Sequence, residues 1–277
     1  MPEIIENHYV QNYAPLQRLS DYAVGVFNDL PSRKSVKKAI TKNRLLIDGD
    51  IATTGVWVKE GMVISLLEEN TPTRPQYSID IPVVYEDEYL AVVNKPGGLS
   101  TSGNVFKSLE NALPVNLNCN KDYLPRPVHR LDSATCGLVI VAKDKITRIK
   151  LGELLKSREV NKIYHAVVTG TPDDCGKIEE GIEGKHAETI YERIGTSKDS
   201  RFSLLKLSPL TGRTHQLRIH CSNSGFPIVG DKLYHGFDRG KGLFLCANKL
   251  EFNHPVTNEK LTLEIDLPRK FTKLFGS

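Results

Sequence analysis

The chain has 277 residues, 39% of them apolar and 25% charged, with a formal net charge of +4. That composition supports one large or two modest folded domains and excludes a fibrous or wholly disordered chain. No apolar run approaches the ~18 residues of a membrane span; the longest, such as Leu138–Ala142, have strand length. Met1-Pro2-Glu3-Ile4-Ile5-Glu6 is acidic and lacks a basic stretch before an apolar one, so no secretory signal is expected. The cysteines (119, 136, 175, 221 and 246) are scattered and never in C-x-x-C spacing. That is the usage of a reducing compartment, and a cytoplasmic location is expected.

Residues 1–70 read as a small unit. Leu19, Ala23, Val26 and Phe27 recur at helical spacing. Leu30-Pro31-Ser32 interrupts them, and Ser32 is placed to cap a second helix from Arg33 to Lys42. Leu45–Asp50 reads as a strand entering a turn, Trp57-Val58 as another strand, and Gly61–Leu66 closes the unit. Six cations (Arg33, Lys34, Lys37, Lys38, Lys42 and Arg44) stand between positions 33 and 44 with no acid among them. A solvated face accounts for such a run. Yet cations without acids one turn away repel one another, and a phosphate backbone relieves that repulsion.

Residues 71–82, rich in proline, read as a linker. Beyond them lie the strand candidates Val83–Tyr85, Leu90–Val93, Leu138–Ala142, Tyr164–Val168, Phe202–Leu207 and Leu261–Ile265. Ile146–Arg158 is the helix candidate. Strands outnumber helices, so residues 83–277 are expected to form an α+β domain around a mixed, mostly antiparallel central sheet.

His129-Arg130-Leu131-Asp132 leads toward the apolar strand at Leu138, which puts charged side chains at the rim of a core. A turn with a capping Asp is the plain alternative. Thr211–His220 concentrates two Arg, two His and one Gln. If it is helical, His215 and Arg218 stand one turn apart, as do Gln216 and His220. A polar helix face is the plain alternative, and the H-E-x-x-H spacing of a zinc site is missing. Tyr164, alternating within Lys162–Val168, is on its own an ordinary core aromatic. Asn94-Lys95-Pro96-Gly97-Gly98-Leu99 lacks P-loop spacing, and neither a Rossmann fingerprint nor a nucleophile elbow occurs, so no nucleotide cofactor is expected.

Taken in order, Asn94–Leu99, His129–Leu138, Lys162–Tyr164, Thr211–His220 and Pro227–Tyr234 resemble the RluA-type RNA pseudouridine synthases, over residues 83–277. Ser32–Ile40, Leu46–Asp50 and Val58–Met62 resemble a small N-terminal α/β unit, the S4 RNA-binding domain. There are departures: Cys136 stands where the synthases commonly have Ser, and Ser100-Thr101 where they often have Val-His-Pro. Asp48 stands where S4 domains usually have Asn, and Met62 where they have Asp.

The resemblance implies isomerisation of uridine to pseudouridine in RNA, without cofactor or metal. The N1–C1′ bond breaks, the base turns, and C5 joins C1′. Asp132 is implied as the essential carboxylate, attacking covalently or removing the C2′ proton. Arg218 is implied as its ion-pair partner and Tyr164 as the group against the uracil. His129, Arg130, Arg213 and His215 are implied as positioning or RNA-contacting groups, and Arg33, Lys34, Lys37 and Lys38 as phosphate contacts. The implied partner is RNA, ribosomal or transfer with ribosomal favoured, met by a monomer with no membrane involved. Two other classes compete. One is a non-catalytic RNA-binding or ribosome-assembly factor, which would have no need of Asp132 or Tyr164. The other is a metal-dependent RNA hydrolase using His215, His220 and Asp231, which lacks a Glu base and ligand spacing.

Overall fold

The computed structural model describes residues 3–11, 16–68, 75–119 and 123–275, and it divides into two compact units between Thr73 and Arg74. In the first, Ile4–Tyr9 and Leu45–Ile47 flank Val63–Leu67 antiparallel, and Asp50–Ile51 completes a four-stranded sheet. Asp48 (φ +52°) and Gly49 (φ +91°) form the two-residue turn between Ile47 and Asp50. Such a hairpin needs two left-handed residues, which Gly and Asp supply most cheaply. The Asp48 carboxylate also accepts the Val63 N–H at 2.8 Å.

Ser32 caps the helix Arg33–Thr41 reciprocally with Ser35. Val36, Ala39 and Ile40 enter the core with Leu19, Phe27, Leu45 and Ile64, while Lys34, Lys37 and Lys38 face solvent. The first helix is shorter than its spacing suggests. It covers Leu19–Tyr22 and gives way to turns in which Gly25 (φ +74°) donates to the Leu30 carbonyl. Leu19, Ala23 and Phe27 are buried all the same, so the apolar period reflects a coiled turn rather than a continuous helix. The strand Ile4–Tyr9 gave no signal because nearly all its side chains are exposed.

The second unit is built on a ten-stranded sheet. Its main path runs Cys175–Glu179, Glu188–Thr196, Phe202–Pro209, Asn161–Thr169, Leu245–Asn253, Cys136–Ala142, Leu90–Lys95 and Val83–Glu86. Lys260–Glu264 and Arg126–Pro127 pair at its sides. The pairing is antiparallel except where Cys136–Ala142 meets Leu245–Asn253, through Cys136↔Cys246 and Gly137↔Ala247. The sheet is therefore mixed and mostly antiparallel, as expected. At this seam Gly137 has φ +121°, and a Cβ there would stand 2.2 Å from the Ala247 carbonyl oxygen. Only glycine lets the two backbones meet.

Leu138 and Ile140 face a core shared with Leu151 of the helix Lys145–Lys156. Val139 and Val141 face another, shared with Leu109, Ala112 and Leu113 of the helix Leu109–Asn116. A strand covered on both faces reads as an unbroken apolar run, which is why its sequence stood out. The strand Glu188–Thr196 did not stand out, because it buries Thr189 and Tyr191 and exposes Ile190 and Ile194. In Leu245–Asn253 the apolar run is broken by Asn248, whose buried amide bonds His165.

The linker reading of residues 71–82 needs correction. Positions 71–74 lie outside the described residues, but 75–82 lie against the second unit. Tyr77 N–H donates to the Asn111 carbonyl, and the Asn116 amide accepts from Ile81 N–H and donates to the Ile79 carbonyl. Tyr77, Ile79 and Ile81 alternate into the core beside the helix Leu109–Asn116; prolines bar a ladder there without barring burial. Among the described residues no helix is long and apolar enough to cross a membrane.

Candidate active site

Asp132 sits in a loop held from below by two polar anchors. Thr101 Oγ1 accepts the Leu131 N–H at 3.1 Å and donates to the Leu131 carbonyl at 2.8 Å. Lys95, fully buried at the end of its strand, donates to the carbonyls of Pro96, Leu99 and Ser133 at 2.9, 2.8 and 3.3 Å. One ammonium thus ties the Pro96–Leu99 loop to the Asp132 loop. Burial lowers its pKa to about 8, against the opposing influence of Cys136 and Asp132.

On the facing side, the helix Gln216–Asn223 is fixed by its first residue. Gln216 Oε1 accepts from Thr211 Oγ1 (2.6 Å) and Arg213 N–H (3.0 Å), and Nε2 donates to the Glu188 carbonyl (2.9 Å) and Thr189 Oγ1 (3.0 Å). Those four bonds satisfy a buried amide completely. His215 stands just before the helix at φ +55° rather than within it.

The centre is the Arg218 guanidinium. Its Nε and Nη2 grip both Asp231 oxygens at 2.7 and 2.8 Å, while Nη1 reaches Asp132 at 3.4 Å. The expected pairing of Arg218 with Asp132 therefore exists but is the weaker of two. Asp231 takes the bidentate grip because it is buried at the base of the site, where it also accepts the N–H groups of Leu233 and Tyr234. The Tyr234 ring lies against the guanidinium, 5.0 Å from its centroid. The Tyr234 hydroxyl is 2.9 Å from His215 Nδ1, and His215 Nε2 is 3.7 Å from Asp132. Burial opposes the charge on Arg218, but Asp231 and Asp132 outweigh it and hold the guanidinium above its usual pKa.

Asp132, His215 and Arg218 stand between two clefts of about 860 and 500 Å³. Tyr164 lines the larger, whose rim carries Arg130, Lys156, Arg158, Lys162 and Arg213. Burial first, then the charge of Asp132, pushes the Tyr164 phenol up, so it stays protonated through the neutral range. The site therefore offers one outward carboxylate beside a fixed cation, an aromatic face, and a basic rim suited to a polyanion.

Asp132, Tyr164, Arg218 and His215 are thus brought together. Arg130 and Arg213 are exposed, with Arg213 Nε donating to the His186 carbonyl at 3.0 Å. His129 also lines the larger cleft, and it ties the loop to the fold. Its Nε2 accepts the Ile140 N–H at 3.1 Å, and burial, helped by Lys162, lowers its pKa to about 3. His220 is fully buried with its ring nitrogens 2.9 Å from Thr189 Oγ1 and 3.1 Å from the Glu180 carbonyl, so it cannot join His215 and Asp231 around a metal. In the first unit Arg33 pairs with Asp21 at 2.7 Å. Sequence reasoning gave no role to Tyr234, Thr101 or Lys95, and it considered Asp231 only as a ligand in the metal-dependent alternative, not as the partner of Arg218. Asp231 and Tyr234 were within reach, since Pro227–Tyr234 had been singled out as a motif. Gly230 (φ +79°) approaches the Gly242 carbonyl so closely that a Cβ would lie 2.0 Å from it.

The family model described as RNA pseudouridylate synthase matches residues 89–223. Ribosomal large subunit pseudouridine synthase C of Rickettsia bellii is 34% identical, covering 86% of this chain and 91% of its own. Ribosomal large subunit pseudouridine synthase D of Pseudomonas aeruginosa is 32% identical, covering 94% and 91%. The solved structure of human RNA pseudouridylate synthase domain containing 4 has a TM-score of 0.58 at 27% identity, over 69% of this chain and 90% of that one.

The ranking of the two carboxylates is testable by urea denaturation. Asp231→Asn leaves a buried guanidinium short of its main partner and should cost on the order of 3–5 kcal/mol. Asp132→Asn, at the outer and partly open position, should cost under about 1 kcal/mol; equal losses would refute the ranking. His129 makes a separate prediction. Its pKa is about 3 in the fold and 6.5 without it. Between those values the unfolded chain binds a proton that the fold refuses, so stability falls as pH falls, by up to about 1.4 kcal/mol per pH unit. His129→Gln should flatten the stability-against-pH curve in that window, and superimposable slopes would contradict the assignment.

Proposed function

Because the chain belongs to the RNA pseudouridylate synthase family, we propose that it acts on ribosomal RNA as an RluA-type enzyme with Asp132 as its essential carboxylate. The observation that carries this reading is the place of Asp132. It is the outer of two carboxylates on one guanidinium, and it faces a cleft that also holds Tyr164. The ribosomal substrate is inferred from relatives whose names state the large ribosomal subunit.

The reaction is balanced within the nucleoside. The N1–C1′ bond breaks, uracil turns in the site, C5 bonds to C1′, C5 gives up its proton, and N1 ends protonated. Asp132 begins it as an anion, either attacking or taking the C2′ proton, and both routes need a carboxylate close to the ribose. Arg218 stabilises that anion without being consumed, because Asp231 holds the guanidinium in place. The Tyr164 ring gives the uracil a stacking face. Its hydroxyl, kept protonated, can accept the C5 proton only while handing its own onward. A uridine in structured RNA is reached by flipping, at a few kcal/mol, and the rim cations hold the flanking phosphates.

Residues 1–70 serve as an S4-like RNA-binding unit in this proposal. The support is the capped helix Arg33–Thr41 with Lys34, Lys37 and Lys38 on its open face. Their role is affinity without sequence preference.

Asp132→Asn should lower single-turnover pseudouridine formation at least about a thousandfold while RNA affinity holds. Near-normal turnover would remove Asp132 from its role. Mapping pseudouridines in ribosomal and transfer RNA from cells with and without the gene identifies the substrate, and a loss confined to transfer RNA would overturn the ribosomal assignment. Replacing Lys34, Lys37 and Lys38 together by Ala should cut the slope of log affinity against log salt by about 2–3. The saturated rate should be unchanged; an unaltered slope would dismiss this helix as a phosphate contact.

A further inference from the structure

Two cysteines meet at the parallel seam, outside the machinery described above. Cys136 and Cys246 are register partners on neighbouring strands. Adjacent strands run ~4.8 Å apart, inside the ~4.4–6.8 Å Cα separation that a disulfide spans. Both residues line a cavity of about 610 Å³ that also presents Lys95, Lys241 and Lys270 against one acid, Asp266. Cys136 is partly open, whereas Cys246 is 1% exposed. A small oxidant entering the cavity meets Cys136 first and finds the second thiol behind it.

We propose that Cys136 is a site of reaction with hydroperoxides and that Cys246 resolves the product to an intramolecular disulfide. Reactive thiols sit in electropositive, partly open surroundings, and this one does. Lys270 is anchored by the carbonyls of Leu243 (2.6 Å) and Lys241 (3.1 Å), and Lys95 by three others, so both cations stay in place. Hydrogen bonding from Cys246, with help from Lys270 and Lys95, holds the Cys136 thiol below the usual range against the effect of burial. Cys246 is pushed the other way by the same bond and by burial. The division of labour follows from access: Cys136 is the partly open sulfur that an oxidant reaches, and Cys246 is the buried one behind it. The remaining thiols lack this setting. Cys221 is fully buried and pushed up to about 12, and burial also raises Cys119.

In the first step the Cys136 thiolate attacks one peroxide oxygen. The O–O bond breaks, giving Cys136 sulfenic acid and hydroxide, or alkoxide from an organic peroxide. In the second, Cys246 sulfur attacks the Cys136 sulfur and the S–O bond breaks. The departing hydroxide takes up the Cys246 proton as water. Two thiols are oxidised by two electrons in total and one peroxide is reduced by two.

The test treats the full-length protein with one equivalent of hydrogen peroxide, alkylates the remaining thiols and maps peptides by mass spectrometry. A dithiothreitol-reversible Cys136–Cys246 peptide should form at least about tenfold faster than exposed Cys119 or Cys175 oxidises. In Cys246→Ser, dimedone should trap a sulfenic acid at Cys136; in Cys136→Ser neither that adduct nor the disulfide should form. Oxidation at Cys119 or Cys175 ahead of the pair, or no dimedone adduct at Cys136 in Cys246→Ser, would overturn the proposal.

Discussion

The site depends on one guanidinium divided unequally between two carboxylates. Asp231 occupies two Arg218 nitrogens in buried, nearly ideal geometry, while Asp132 receives the third at a longer distance. The inequality matters. A carboxylate locked in a bidentate grip has its oxygens spent on holding the arginine, and one with a single long contact keeps an oxygen for chemistry. In the proposed reaction this arrangement separates support from chemistry. Asp231 bears the cost of burying Arg218, so Asp132 can gain from the cation without being sealed by it. Tyr234 serves the same end, with its backbone N–H on Asp231, its ring against Arg218 and its hydroxyl on His215.

Beneath this cluster the loops are fixed by buried polar groups rather than by apolar packing alone. Lys95 gathers carbonyls from two loops, Thr101 brackets Leu131, and Gln216 locks the start of the helix that carries Arg218. Loop carbonyls and N–H groups near a core must find partners, and each hub satisfies several at once. A satisfied hub also specifies one loop arrangement, because any shift strands a buried donor or acceptor. The glycine seam at Gly137 works in the same direction, forcing the strand after Asp132 directly against Ala247.

What could be read from the sequence follows from these same facts. Strands buried on both faces, such as Leu138–Ala142, announce themselves, and so does a helix with a serine cap and a clean apolar face, such as Arg33–Thr41. Glu188–Thr196 is hidden because its inward residues are Thr189 and Tyr191, and Ile4–Tyr9 because it covers almost nothing. Asp132, Tyr164 and Arg218 were recognisable through ordered motifs, whereas the grip of Asp231 on Arg218 was not. An ion pair formed across a loop leaves no periodic trace; only the three-dimensional path of Gly230–Tyr234 brings it about. His129 is a second case. A histidine three residues before Asp132 gives no sign in the string of letters that its Nε2 accepts the Ile140 N–H and so ties the loop to the next strand.

The protonation states narrow the chemistry further. Tyr164 is held as a neutral phenol by burial and by the negative charge of Asp132. His129 is held as a neutral imidazole by burial and by Lys162. Both neutral groups bear on the Asp132 loop. A phenolate beside Asp132 would add a second negative charge against the same guanidinium, and a charged His129 would give up its bond to the strand that positions the loop. With both held neutral, the charged pair at the floor of the cleft is Asp132 with Arg218, and the further cations stand at its rim. In the proposed reaction the initiating attack or proton removal falls to Asp132, and Tyr164 enters only afterwards, when the rotated base has a proton to lose.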